Sequence, residues 1–122
     1  MMNTLSIIFI ALVAFLHFYF MILEMFYWTK PKGQKAFGLT PEFAEESKVL
    51  GANQGLYNGF LSAGLVWSLL DSNYGPRIAI FFLTCVIIAG IYGAYSTKKI
   101  KLFYIQGIPA ILALVFTLLN YL

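Results

Sequence analysis

Two ionisable side chains inside the first apolar run of the chain are the residues best suited to chemistry. His17 and Glu24 are seven positions apart, nearly two helical turns, so they lie on one face of a helix. An ionisable group in hydrocarbon costs roughly 2.5 to more than 10 kcal/mol unless it is paired or faces water. We therefore interpret Glu24 as a candidate catalytic acid or base and His17 as a second proton-transfer group.

Both residues also have a purely structural interpretation. His17 could make one interhelical hydrogen bond, and Glu24 could lie near the membrane interface, either snorkelling outward or paired with Lys30 or Lys48. The axial distance of about 10 Å between His17 and Glu24 excludes direct contact. Communication between them would need water, a ligand or a side chain of another helix.

A second set of polar residues opens the second apolar run. Small residues recur there at every fourth position from Gly51 to Gly59, a pattern that lets another helix approach closely. Amides and a phenol occupy the neighbouring arc, and the later runs add one tyrosine and one glutamine. The candidate ligand-binding residues are Asn53, Gln54, Tyr57, Asn58, Tyr92 and Gln106. The alternative is that these amides only bind helices together.

Composition indicates a membrane protein. The chain is 61% hydrophobic and 11% charged, whereas soluble domains are about 45–50% and 25%. The single Cys85 excludes an intrachain disulfide, and neither metal-ligand spacing nor a phosphate-binding loop is present, so we predict no metal and no cofactor. The net charge of +3 does not indicate nucleic-acid binding, because seven of the eight basic residues lie in two short loops.

Four apolar runs are each long enough for a transmembrane helix, which needs about 20 residues. We predict spans at about residues 3–28, 50–70, 77–96 and 102–121. The predicted fold is all-α, an integral membrane four-helix bundle that forms a single domain over residues 1–122.

Local signals refine the element bounds. Thr40 followed by Pro41 is typical of an N-cap and first helical residue, so the second helix should begin near Pro41 and extend into the cytoplasm. We expect turns at residues 30–33 and 71–76, and Pro109 predicts a kink near the start of the fourth helix.

Charge predicts the orientation. The loops after the first and third runs carry seven lysines, whereas the opposite side has only Arg77. The positive-inside rule therefore places these loops in the cytoplasm and both termini outside. In this orientation the polar residues share the cytoplasmic half, which predicts a cavity open to the cytoplasm.

The chain resembles a family of small bacterial membrane proteins with four spans, known as domain of unknown function 1304. The residues that carry the resemblance are His17, Glu24-Met25 and Trp28, the segment Asn53–Gly59, and Gln106 with Pro109-Ala110. The resemblance implies a four-helix protein of the bacterial cytoplasmic (inner) membrane, and it implies no activity.

The architecture is also similar to that of the membrane-associated eicosanoid and glutathione metabolism family. That family has four spans, outside termini and a projecting second helix, and it forms trimers with sites between subunits. The similarity implies a homo-oligomer, a dimer or trimer. Glutathione sites in that family use arginines along the cytoplasmic helix ends, but Arg77 is on the other side here, which counts against glutathione chemistry.

Three functions compete. The leading hypothesis is a binding or catalytic site for a small lipophilic molecule, such as a lipid, quinone or isoprenoid, with its polar head beside Glu24. The second is a structural or accessory membrane subunit that packs through its glycines. The third is a proton-coupled exporter, because small multidrug transporters are similar in length, span number and a single glutamate. The position of Glu24 near one membrane face and the fixed orientation count against the exporter.

Overall fold

The computed structural model describes residues 2–122, so Met1, the first residue of the predicted domain, lies outside the described residues. The elements are α1 (Thr4–Phe26), α2 (Pro31–Phe37), α3 (Pro41–Leu70), α4 (Gly75–Thr97), α5 (Ile100–Leu102), a π-helix (Phe103–Gly107) and α6 (Ile108–Tyr121). No strand occurs in residues 2–122, which confirms the prediction of an all-α protein.

Three helices are long and apolar enough to cross a membrane. They are Thr4–Phe26, Gly75–Thr97 and the continuous helix Ile100–Tyr121. Only 22–28% of the residues in their most apolar windows are buried within the protein, so most of these side chains are free to face lipid. These helices are those of a membrane protein.

The predicted second span lies in α3, which does not reach the same hydropathy. Its 30 residues exceed the length needed for a crossing. The polar side chains Asn53, Gln54 and Asn58 lower its mean hydropathy. A membrane crossing by α3, and with it the count of four spans, therefore stays a prediction.

The start of α3 follows the capping signal in the sequence. The helix begins at Pro41, and the Phe43 N–H donates to Oγ1 of Thr40 at 3.1 Å. Proline suits this first position because its missing N–H would have no intrahelical acceptor. The prediction of a helix that begins near Pro41 is confirmed.

The turn predicted at residues 30–33 is wrong, because a short helix occupies the segment. Pro31 lies at the first helical turn of α2, and Gly38 ends the helix in the left-handed conformation with φ 65°, donating its N–H to the Gln34 carbonyl. A β-carbon at Gly33 would collide with the Tyr27 carbonyl, so α2 packs directly on the preceding backbone. Proline near the start and glycine just past the end were the signals for this helix.

The kink predicted near Pro109 stays a prediction, but the structure has a π-helix, Phe103–Gly107, that ends two residues before this proline. The Ile108 N–H bonds to the Phe103 carbonyl, five residues earlier. Proline cannot donate to the carbonyl of Ile105, four residues before it, and its ring crowds that carbonyl. The backbone therefore widens over this turn. A β-carbon at Gly90 would lie 3.2 Å from the Gly107 nitrogen, so the π-helix packs closely on α4.

The described chain divides into two compact units. We call residues 16–62 the central unit and residues 2–15 with 63–122 the terminal unit. In the terminal unit α4 packs against α6 and the π-helix, with Leu83 and Val86 fully buried. In the central unit five of the buried residues are polar or ionisable: His17, Glu24, Ser47, Asn58 and Ser62.

Candidate functional site

The centre of the candidate site is the Glu24 carboxylate of α1. This side chain is 1% exposed. Gln54 donates its amide N–H to Oε2, and Asn58 donates its amide N–H to Oε1, both at 2.5 Å. Each carboxylate oxygen is thus held by one amide of α3. We call these three residues the amide clamp.

The sequence of α3 explains how the clamp forms. Gln54 and Asn58 are four positions apart, so they project from the same face of the helix. Gly55 lies beside them and faces α1, where a β-carbon would be 3.0 Å from Cβ of Glu24 and 2.8 Å from Cγ of Met25. The missing side chain at Gly55 therefore sets the close approach that brings both amides to the carboxylate.

The neighbouring glycines extend this close contact within the central unit. A β-carbon at Gly51 would be 2.6 Å from the Trp28 indole, and one at Gly59 would be 2.6 Å from Sδ of Met21. Three glycines of the predicted ladder therefore pack against α1 and the turn that follows it. This supports packing as their role, inside one chain.

A second polar tie lies one helical turn from Glu24. The indole Nε1–H of Trp28 donates to Oγ of Ser47 at 3.0 Å, and the Ser47 hydroxyl donates to the Phe43 carbonyl at 2.6 Å. From the sequence, Trp28 is one of the residues that carry the family resemblance, and no hydrogen bond was predicted for it. The missed signal is spacing, since Ser47, Gly51 and Gly55 follow one another at four-residue intervals on the face of α3 that meets α1.

Beside the clamp an open cleft of about 380 Å³ lies within the central unit. Its walls combine a carboxylate, an ammonium group, an amide and a hydroxyl with large apolar side chains. The lining residues are Glu24, Met25, Phe26, Trp28, Thr29, Lys48, Val49, Ala52 and Asn53. This mixture matches a ligand with one polar end, because apolar walls give area and a few polar groups fix orientation.

Lys48 lines the cleft but does not neutralise Glu24. Its Nζ pairs instead with Glu45, one turn earlier on α3. The structural alternative in which Glu24 pairs with a lysine is therefore not the arrangement seen. Each oxygen of Glu24 keeps acceptor capacity beyond its one amide bond, because a carboxylate oxygen has two lone pairs.

Three of the remaining predicted site residues belong to the central unit: Asn53, Tyr57 and His17. Asn53 lines the cleft, and its amide donates to the Val49 carbonyl at 2.8 Å. Tyr57 is 61% exposed, and buried His17 packs edge-on against Phe20, with ring centroids 5.5 Å apart. The lining of the cleft includes neither His17 nor Tyr57.

Tyr92 and Gln106 belong to the terminal unit. Tyr92 is 68% exposed on α4, and Gln106 lies on the π-helix beside Gly90. The cleft lining includes neither of them. In residues 2–122 there is also no cluster of three His, Cys, Asp or Glu side chains that could hold a metal ion.

Comparison with known proteins identifies the family. The family model "Protein of unknown function (DUF1304)" matches residues 11–118. The uncharacterized protein YpaA of Lactococcus lactis subsp. lactis (strain IL1403) is 36% identical over 116 residues, which cover 93% of this chain and 97% of that protein. No solved structure matches the chain. The chain therefore belongs to the DUF1304 family, as the residues of its first, second and fourth apolar runs predicted.

Proposed function

We propose that this protein crosses the bacterial cytoplasmic membrane four times and binds a small lipophilic molecule by its polar head in the cleft beside Glu24. One observation carries the proposal: a buried carboxylate, fixed by two amides, borders a cleft whose other walls are largely apolar. A lipid, quinone or isoprenoid has the matching shape, with a polar head and an apolar tail.

The presence of an ionisable carboxyl at Glu24, and not of a neutral amide, supports a ligand site over simple helix attachment. A neutral glutamine at this position could also hydrogen-bond to amides of α3, and burying it would cost less than burying a carboxylate. Glu24 lines the cleft, and its carboxyl group would be a strong acceptor for a ligand that reaches it. A head group with a hydroxyl or amine could donate to that acceptor.

The rest of the cleft narrows the class of ligand. Lys48 and Asn53 provide donors, so the head should carry an acceptor as well as a donor. Phe26 and Val49, 59% and 66% exposed, offer apolar area for a tail. The volume of about 380 Å³ lies within the range of roughly 300–1,000 Å³ for small-molecule pockets.

Hydrogen bonding supports α3 as the fourth membrane span. Its 30 residues correspond to about 45 Å, more than the roughly 30 Å of the hydrocarbon layer. The amides that lower its hydropathy bond within the protein, Gln54 and Asn58 to Glu24 and Asn53 to the Val49 carbonyl. Polar groups satisfied in this way are compatible with a bilayer.

The proposed orientation, with both termini outside, can be tested by labelling single cysteines with a membrane-impermeant maleimide. In a Cys85→Ser background, Ser72→Cys and Ala36→Cys place a thiol in exposed segments on opposite predicted sides. We expect Ser72→Cys to react in intact cells and Ala36→Cys to react only after permeabilisation. The reverse pattern would invert the topology.

Native mass spectrometry of protein purified in mild detergent tests the ligand site. We expect a bound small molecule in the wild type and none in Glu24→Gln. The matched control is Glu46→Gln, which removes an exposed carboxylate elsewhere on α3 and should retain the molecule. Equal occupancy in Glu24→Gln, or an empty wild type, would count against the proposal.

A structural or accessory subunit is the second candidate, because both bonds of the clamp also join α1 to α3. In that case neither the wild type nor any variant would carry a bound molecule. Gly55→Leu would then be far more harmful than Glu24→Gln in every assay.

A further inference from the structure

A second open groove, of about 430 Å³, lies in the terminal unit where α4 ends. Its lining residues are Ile91, Ala94, Tyr95, Lys98, Ile100 and Phe103. We propose that this groove binds an anionic phospholipid, with an acyl chain along its apolar wall and the phosphate at Lys98. The site is separate from the cleft beside Glu24 and does not depend on the function proposed there.

The order of residues along the groove matches the order of groups in a phospholipid. Ile91, Ala94, Tyr95 and Lys98 follow the helical spacing of three, four and seven, so they form one stripe along α4. From Ile91 to Lys98 the stripe rises about 10 Å. Its apolar part comes first and its cation last, with tyrosine between, as at a membrane interface.

The apolar wall is open to the surroundings of the protein. Ile91, Tyr95 and Ile100 are 54%, 80% and 58% exposed. Together they form a concave apolar surface, which a flexible acyl chain can fill. Such a surface has little affinity for a free inorganic anion, so the wall selects a lipid.

Charge selects an anionic head group. The terminal unit carries Arg77, Lys98, Lys99 and Lys101 but a single acid, Asp71. Asp71 precedes α4 and the lysines follow it, so the 23 residues of this helix, about 35 Å, separate them. The central unit, in contrast, has four lysines and four glutamates. The uncompensated positive charge of the molecule is therefore concentrated beside the groove, where it complements a lipid phosphate.

The backbone at Lys98 supports a role for its side chain. Lys98 has φ 59° and ψ 26°, and within residues 2–122 it is the one residue other than glycine with positive φ. Glycine or asparagine adopts this left-handed conformation at lower cost and is common at this helix-ending position. A lysine held in the unfavourable conformation indicates that its ammonium group is needed there.

Titration of delipidated protein in detergent with phosphatidylglycerol, monitored by native mass spectrometry, tests the proposal. Phosphatidylcholine and inorganic phosphate serve as comparison probes. We expect the wild type to bind phosphatidylglycerol in preference to both. The triple variant Lys98→Asn, Lys99→Gln and Lys101→Gln should weaken that binding at least tenfold, since each lysine near a membrane surface contributes roughly fivefold.

A matched triple variant controls for charge. Lys30→Gln, Lys32→Gln and Lys35→Gln remove the same charge from the central unit, and we expect less than a twofold change. Equal losses in the two triple variants, or equal binding of the two lipids, would overturn the proposal. Phosphate binding as tight as that of phosphatidylglycerol would also overturn it. So would a change of oligomeric mass in place of lipid loss, which would show that a second copy covers the groove.

The single variant Lys98→Asn separates lipid binding from folding. Asparagine tolerates the left-handed conformation, so we expect an unchanged or higher thermal midpoint in lipid-free detergent. Phosphatidylglycerol binding should nevertheless weaken about fivefold. A lower midpoint with unaltered lipid binding would show that Lys98 has only a structural role.

Discussion

The central and terminal units satisfy their buried polar side chains in different ways. In the central unit, buried Glu24 and half-buried Trp28 bond to side chains of α3, although Ser47 also donates to a carbonyl of its own helix. In the terminal unit, Ser6, Ser68 and Thr117 each donate to a carbonyl three or four residues earlier in their own segment. Bonds between helices require one particular register, whereas bonds within a helix form in any packing. The bonds from Gln54 and Asn58 to Glu24 therefore fix the register of α3 against α1.

The largest effect that this comparison predicts is at the glycine between the clamp amides. Gly55→Leu would force α1 and α3 apart, because even its β-carbon would lie 2.8 Å from Met25. We expect about 3 kcal/mol of destabilisation or more, and loss of ligand. Gly93→Leu is the control, because no atom lies within 4 Å of the corresponding β-carbon. Thermal unfolding in detergent should separate the two variants clearly, and similar midpoints would contradict the packing described for Gly55.

Substitution of the clamp amides, Gln54 and Asn58, should cause the next largest loss of stability. Asn58→Ala would leave Oε1 of the buried Glu24 without its donor, at a cost of about 2 kcal/mol. Gln54→Ala should cost about half as much, because the Gln54 side chain is largely exposed and water can replace it. Unfolding free energies of the two variants measure this order. A greater loss at Gln54 would show that Asn58 is not the main support of the carboxylate.

Loss of a polar side chain that bonds within its own helix should lower the unfolding free energy much less. Thr117 is 1% exposed, and its hydroxyl donates to the Ala113 carbonyl at 2.7 Å. Thr117→Val keeps the shape and removes the donor, and that carbonyl retains the backbone N–H of the helix. We therefore expect a change of about 0.5 kcal/mol or less in unfolding free energy. A loss as large as that of Asn58→Ala would remove the distinction between the two units.

The smallest effect on stability should come from a substitution of Asp71, in the exposed turn before α4. Oδ1 of Asp71 accepts the Tyr74 N–H at 2.7 Å and the Asn73 N–H at 2.9 Å. These bonds, that from Tyr74 most of all, hold the pKa of this carboxyl below its usual value. The stabilisation is present above the unfolded pKa, about 3.9, and is lost as the pH falls through the lower folded value.

Asp71→Asn keeps an acceptor oxygen in the turn but cannot titrate. We expect wild type and variant to differ slightly in thermal midpoint at pH 7, and the difference to shrink as the pH falls below about 4. Midpoints measured across this range test the effect, and a constant difference at every pH would exclude the ionised carboxylate as its source.

The sequence predicted the parts of the fold that depend on local signals. Thr40 and Pro41 predicted where α3 begins. The kink predicted from Pro109 stays a prediction, and the π-helix before this proline was not predicted. The helix α2 was missed, although Pro31 and Gly38 mark its two ends. Local signals of a few residues were therefore sufficient to place the helix ends, even for α2, which was interpreted as a turn.

Half of the candidate site could be predicted for the same reason. Gln54 and Asn58 share a helical face beside Gly55, and a buried Glu24 needed donors. For the bond between Trp28 and Ser47, spacing indicates only that Ser47 lies on the face of α3 that meets α1. Whether Trp28 reaches it depends on the path of α2, which lies between them in the chain. Exposure of Tyr57 likewise depends on tertiary packing and not on helical spacing.

The most direct test of the account compares ligand occupancy with stability across the clamp variants. Native mass spectrometry and thermal unfolding would be measured together for the wild type, Glu24→Gln, Gln54→Ala and Asn58→Ala. If the carboxylate binds a ligand, Glu24→Gln will lose the bound molecule while it remains at least as stable as Asn58→Ala. Occupancy that simply follows stability through all four proteins would contradict the account and make Glu24 a helix-packing residue.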